Sequence, residues 1–176
     1  MEDLGAFAKH FGSIQEEYGR NKGDPLVSQM WMDWDSDWDH RADWQVLPIF
    51  VSETILRARY GEEANWPEVS RILSQSWPRI SSLVSGFFEN VSLVAFSRLR
   101  ANQELRPHLH ENAGHRIFHM GMDIPSGDVG ISTSSGTHKW ENPGEWIVFD
   151  DTKTHSAWNR SEEDRVIFYV DFITGH

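Results

Sequence analysis

The chain contains no cysteine. That excludes disulfides, thiolate metal sites, iron–sulfur clusters and a cysteine nucleophile together, and it makes a cytoplasmic address the expectation. Basic residues are few: 16 Lys and Arg stand against 27 Asp and Glu, a formal charge of −11. So acidic a surface repels a phosphate backbone, which argues against nucleic acid as a partner. No apolar run in the sequence approaches the roughly 20 residues that span a bilayer, so no membrane partner is expected either. The opening MEDLGAFAKHFGSI lacks the basic segment and apolar core of a secretory signal. Internal repeats and low-complexity tracts are also missing. The length, 176 residues, is that of one domain with a substantial buried core.

Two residue types are plentiful. Trp occurs nine times, four of them between Trp31 and Trp44, and His occurs nine times, six of them between His108 and His155. The first part of the chain is mostly helical or irregular. Leu4, Phe7, Ala8, Phe11 and Ile14 fall at helical spacing, which predicts an amphipathic helix over residues 2–18, ended by the turn-rich NKGDP. The segment 30–44 alternates Trp with Asp without a clean period. It is either an ordered loop whose rings pack on the core or part of a substrate lid. WQVLPIF (44–50) is strand-like, with Pro48 placing it at an edge. SETILRARYGE and WPEVSRILSQS read as short helices, the second ended or interrupted by Pro78.

From about residue 84 the apolar period becomes two. Strands are expected at 91–100, 116–124, 129–133, 145–150 and 164–172, joined by the turn-like links IPSGD, ENPGE, DDTKT and NRSEED. The pattern predicts one mainly β domain. Residues 1–83 form helical and loop cladding, and residues 84–172 form a β-barrel or jelly roll.

The chemistry concentrates in LRPHLHENAGHRIFH (105–119). In an extended chain His108 and His110 point to one face and Glu111 to the other. His155 follows 47 residues after His108, and imidazoles from distant strands of a barrel can converge on one metal. Arg165 opens an apolar strand. Parity puts it on one face with Ile167, Tyr169 and Asp171, while Val166, Phe168, Val170 and Phe172 occupy the other. Such an arginine is either an edge charge or a buried clamp, able to hold a carboxylate by two parallel hydrogen bonds. Trp146, Trp158, Phe118 and Phe168 lie near these residues in sequence and read first as core.

These residues together resemble the aspartyl/asparaginyl β-hydroxylases, a branch of the iron(II)- and 2-oxoglutarate-dependent dioxygenases. The resemblance covers roughly residues 91–172 and is most specific in FDDTKTHSAWNRSEEDRVIFYVDF (149–172), with RPHL and HMGMDIP matching as well. It implies a double-stranded β-helix, iron(II) as metal and 2-oxoglutarate as co-substrate. It also implies hydroxylation of an amino acid or peptide residue at an Asp- or Asn-type β-carbon. His108 and His155 match the iron-binding histidines. Arg165, with Ser97, matches the pair that holds the far carboxylate of the co-substrate, and His119 matches a histidine near its other end. The sequence departs from the family twice. Where many relatives have a carboxylate ligand it has His110, which leaves His110, a water or Glu111 as third ligand. Arg116 is out of parity with His119, so Arg98, Arg100 or Arg106 would have to replace a family arginine. Two other classes stay open: a cupin-like three-histidine dioxygenase that does without 2-oxoglutarate, and a non-catalytic binding domain.

Overall fold

Alternation of apolar and polar side chains along the strands produces two antiparallel sheets that share one interior. A computed structural model of the chain describes residues 5–34, 43–52, 75–87, 91–110 and 114–173. The larger sheet has the order β1-β2-β3-β10-β5-β8: β1 Met32–Asp33, β2 Trp44–Val51, β3 Val91–Leu99, β5 His115–Asp123, β8 Trp146–Phe149 and β10 Arg165–Ile173. The smaller has the order β4-β9-β6-β7: β4 Gln103–His108, β6 Val129–Thr133, β7 Gly136–Lys139 and β9 His155–Asn159. This is the mainly β, double-stranded β-helix architecture expected.

Each face of the larger sheet has its own partner. Its outer face carries Val94, Phe96, Phe118, Met120, Phe168 and Val170, which bury against Phe7, Ile14, Tyr18, Ile80 and Val84 from the helices. Those helices are α1 Ala6–Lys9, α2 Phe11–Asn21, α3 Pro25–Ser28 and α4 Pro78–Phe87. Phe7 is central: its ring lies 5.6 Å from Phe118 and 5.7 Å from Phe168. Fully burying an aromatic of this size contributes about 1.5–3 kcal/mol. The inner face contributes Leu99, Ile117, Phe149 and Ile167, which meet Leu105, Val129, Ile131 and Ala157 of the smaller sheet.

Two polar devices fix the frame. Glu17 of α2 is buried, and its carboxylate accepts the amides of Arg79 (2.9 Å) and Ile80 (2.8 Å). It therefore satisfies N–H groups that the first turn of α4 leaves without a helical partner. Asn159 is fully buried, and its amide donates to the carbonyls of Leu99 (3.0 Å), Arg100 (3.0 Å) and Glu163 (2.8 Å). That ties the end of β9 to β3 and sets the turn from which Arg165 starts β10.

The sequence pattern anticipated β2, β3, β5, β6, β8 and β10. It did not anticipate β1, β4, β7 and β9, which are short and carry little periodic signal. The helical part extends beyond residue 84, since α4 runs to Phe87, and Pro78 is its first residue. There the fixed φ of proline suits a helix start. The two short helices expected from SETILRARYGE and WPEVSRILSQS lie almost entirely outside the described residues. Among the described residues no helix is long and apolar enough to cross a membrane.

Candidate active site

Strand pairing assembles the histidines. His108 ends β4 and His155 begins β9, and the two are direct partners across the smaller sheet. Their ring centroids are 4.2 Å apart, and His110 adds a third ring at 5.5 Å from His108 and 5.8 Å from His155. One ring nitrogen from each lies within 4.8 Å of the other two. Carbonyls fix two of the tautomers. His108 Nδ1 is 2.7 Å from the Arg106 oxygen, and His155 Nδ1 is 2.9 Å from the Lys153 oxygen. Each Nδ1 must carry the proton it donates, so each Nε2 presents a lone pair. Burial lowers the His155 pKa, which keeps that ring neutral. Three converging imidazoles form a donor set suited to a first-row transition metal.

Deeper in the cavity lies a charge without a counterion. Arg165 is 2 % exposed, and its Nε and Nη1 have no hydrogen-bond acceptor. Burial pulls its pKa down to about 10, so it stays cationic at neutral pH. The Trp140 ring lies 5.6 Å from the guanidinium carbon. Ser97 sits one strand away, its hydroxyl accepting the Trp44 Nε1–H at 2.8 Å, which leaves its own proton to donate. His119 is buried with both ring nitrogens unpaired, and burial, reinforced by Arg165, holds its pKa well below the usual value. Unsatisfied buried donors carry a large desolvation penalty unless a ligand meets them. Leu105, Ile117, Phe149 and Tyr169 complete the walls, and Trp34 and Trp44 close the end nearest Ser97.

A family profile described as aspartyl/asparaginyl beta-hydroxylase matches residues 8–174. The chain belongs to the aspartyl/asparaginyl β-hydroxylase family. An ornithine lipid ester-linked acyl 2-hydroxylase from Rhizobium tropici is 29 % identical over 85 residues, 47 % of this chain and 30 % of that protein. The mouse aspartyl/asparaginyl beta-hydroxylase is 26 % identical over 98 residues, 53 % of this chain and 13 % of that one. The chain thus spans less than a third of the length of these curated relatives. Solved structures resemble it more loosely. Ectoine synthase from P. lautus has a TM-score of 0.46 and 13 % identity over 85 % of this chain and 76 % of that one. The cupin domain of Schizosaccharomyces pombe Cnp3 has a TM-score of 0.40 and 9 % identity over 48 % and 57 %.

In this member of the family the cavity gathers His108, His110, His155, Arg165, Ser97 and His119, all singled out in the sequence. Arg116 lies elsewhere, as parity required: it bonds the His115 carbonyl and pairs with Asp150 at 3.3 Å. Arg98 turns to Gln45 and the Trp31 ring, Arg100 pairs with Asp164 at 2.9 Å, and Arg106 is exposed. None of these four lines the cavity, where Ile117 takes the intervening position on β5. Glu111 lies outside the described residues. Phe118 and Phe168 belong to the outer core, Trp146 is 42 % exposed, and Trp158 packs on Gly130.

Asp151 is the site residue that sequence reasoning did not single out. It lines the cavity, is 4 % exposed, and its Oδ1 has no partner. Burial pushes its carboxyl above the usual carboxylate value. Its carbonyl accepts the His110 amide at 2.9 Å, which anchors the third histidine. The signal was present in Phe149-Asp150-Asp151, but a turn has no parity from which to read direction. Trp34 and Trp44 give the Trp/Asp segment a place at the cavity wall; residues 35–42 lie outside the described residues. A wider groove of about 480 Å³ runs between α2 and α4, but its charged lining residue Arg79 is already tied to Glu16 at 2.6 Å.

Proposed function

We propose that the protein is an iron(II)- and 2-oxoglutarate-dependent dioxygenase that hydroxylates an amino acid or a peptide residue, at a β-carbon of the type its family name describes. The observation that carries this reading is the unpaired, buried Arg165 guanidinium in the same cavity as three converging histidines. His108, His155 and His110 would hold the metal. Bound together, iron(II), 2-oxoglutarate and oxygen supply the oxidising power that converts C–H to C–OH, with succinate and carbon dioxide as co-products.

The protein's own part is position and dryness. Arg165 grips the far carboxylate of the co-substrate with its two free N–H groups, and Ser97 adds a third donor, oriented by Trp44. His119, kept neutral, supplies a hydrogen-bonding group near the other end without adding a second positive charge. Leu105, Ile117 and Phe149 exclude water, so the charge contacts act at low dielectric and count for more than they would in solution.

The test is anaerobic addition of iron(II) and 2-oxoglutarate while recording the visible spectrum. A charge-transfer band should require both and should weaken in Arg165→Lys. The three-histidine cluster by itself also suits a cupin-type dioxygenase without co-substrate. Oxygen consumption that proceeds with iron(II) but without 2-oxoglutarate would establish that alternative.

A further inference from the structure

The cavity has two ends of opposite sign. Among the described residues that line it, Arg165 is the one guanidinium or ammonium, and it lies at the Ser97 end. The inner edge of β10 then runs Arg165, Ile167, Tyr169, Asp171, and the inner edge of β5 runs His119, Ile117, His115 in the paired direction. The far end therefore brings Asp171 and His115 together, with His115 Nδ1 bonded to Asp171 Oδ1 at 2.8 Å. Asp151 stands beside this pair: Asp171 and His115 both act on its carboxyl electrostatically, as does His110. The Asp171 carboxylate has its partner. The Asp151 carboxylate is 96 % buried, by its 4 % exposure, faces the cavity and leaves Oδ1 without a donor.

The asymmetry rests on the function proposed above. Arg165 is then taken by the far carboxylate of the co-substrate, and Asp171 is already bonded to His115, which leaves Asp151 Oδ1 as the buried carboxylate oxygen of the cavity without a donor. A buried carboxylate oxygen without a donor is unfavourable unless a donor of opposite sign meets it. No other cationic lining residue does so among the described residues, since Arg98, Arg100, Arg106 and Arg116 are all directed elsewhere or exposed.

We infer that Asp151 is the substrate-recognition residue of this enzyme, and that the substrate brings a cationic group, an ammonium or a guanidinium, to the Asp151 end of the cavity. An acidic aspartyl side chain would set a second carboxylate against Asp151. A cation would complete an otherwise unsatisfied pair and point the substrate toward the three histidines. The cation can be a side-chain group or the α-ammonium of an amino acid; Asp151 reads the shared charge and N–H donors.

The experiment titrates probes of defined charge into the anaerobic protein–iron(II)–2-oxoglutarate complex and follows the visible band and the succinate released when oxygen is admitted. Nα-acetyl-L-lysine amide and Nα-acetyl-L-arginine amide carry a side-chain cation, and L-asparagine amide carries an α-ammonium. Nα-acetyl-L-asparagine amide is neutral, and Nα-acetyl-L-aspartic acid amide is acidic. At least one cationic probe should bind on the order of tenfold or more tighter than the neutral probe, with the acidic probe weakest. Asp151→Asn, which keeps the shape, should bring that cationic probe to the level of the neutral one. The inference is overturned if the acidic probe binds as tightly as the tightest cationic one. It is also overturned if Asp151→Asn weakens metal binding yet keeps the wild-type ranking, because Asp151 then serves the histidines and not the substrate. Should the variant not fold, the wild-type ranking still decides. Failure of the band to form with iron(II) and 2-oxoglutarate alone counts against the proposed co-substrate, and calorimetric titration of the same probes into the metal-free protein then reads the charge preference separately.

Discussion

The two faces of β10 show how one strand serves two masters. Outward it presents Val166, Phe168, Val170 and Phe172, all buried among aromatic rings from the helices and neighbouring strands. Inward it presents Arg165, Ile167, Tyr169 and Asp171, a series in which polar atoms alternate with packing atoms. Outside, Glu17 has both carboxylate oxygens satisfied by backbone amides. Inside, Arg165, His119 and Asp151 are as well buried but keep unpaired nitrogens or oxygens. The carboxylate buried on the outer side is satisfied, whereas the guanidinium, imidazole and carboxylate buried on the inner side keep groups free to bind.

The largest expected effect lies on the inner side. His108→Ala or His155→Ala should abolish iron binding and iron-dependent turnover while the circular dichroism spectrum and thermal transition stay near wild type. Neither ring belongs to the outer core, so the fold does not depend on it. Full activity in either variant would remove the metal site from this cavity.

The mirror experiment is on the outer side. Phe168 is fully buried between Phe7 and Phe96, at 5.7 Å from each ring. Phe168→Ala should lower the unfolding free energy by about 3–5 kcal/mol in urea titration. The protein that remains folded should bind metal normally. A loss of metal affinity well beyond the unfolded fraction would mean the two faces are not independent.

How far the sequence foretold this division depends on the element. Strand parity assigned all eight residues from Arg165 to Phe172 to their faces, because β10 pairs on both sides and cannot slip without exposing four apolar side chains. The His108/His110 pair and His155 were legible as residue types, and their convergence followed once β4 and β9 paired. Glu17 was not legible: it caps a helix through the amide of Arg79, 62 residues later, and nothing local ties the two. Asp151 and the His115–Asp171 bond were missed for a related reason. The first sits in a turn, and the second depends on the β5–β10 register, which no single segment encodes.

A smaller effect tests whether Arg165 is a clamp or only a charge. Arg165→Lys keeps the charge and loses the planar fork. Apparent 2-oxoglutarate affinity should fall by about 1.5–3 kcal/mol, the range for a hydrogen bond to a charged group, with iron(II) affinity much less affected. Unchanged 2-oxoglutarate use would make Arg165 a structural charge and favour the three-histidine alternative.

The finest comparison is pH, because the outer side of β10 presents nothing that titrates. His119 in the folded protein has its pKa held well below the usual value, first by burial and then by Arg165, His155 and His138. In the unfolded chain it titrates near pH 6.5, at about the ordinary histidine value. Above that pH both states are neutral and His119 adds no slope. Below it the unfolded chain takes up a proton that the folded protein refuses, so stability is lost as pH falls. The loss per such group approaches about 1.4 kcal/mol per pH unit. His155, whose pKa is also lowered, acts with the same sign. Urea midpoints of the metal-free protein should therefore decline from about pH 6.5 toward about pH 5. The decline should be shallower in His119→Gln, which keeps a polar amide and cannot be charged. An equal slope in the variant would mean that His119 accepts its proton in the folded state, that water reaches it inside the cavity, and that the inner face is not the dry counterpart of the outer one.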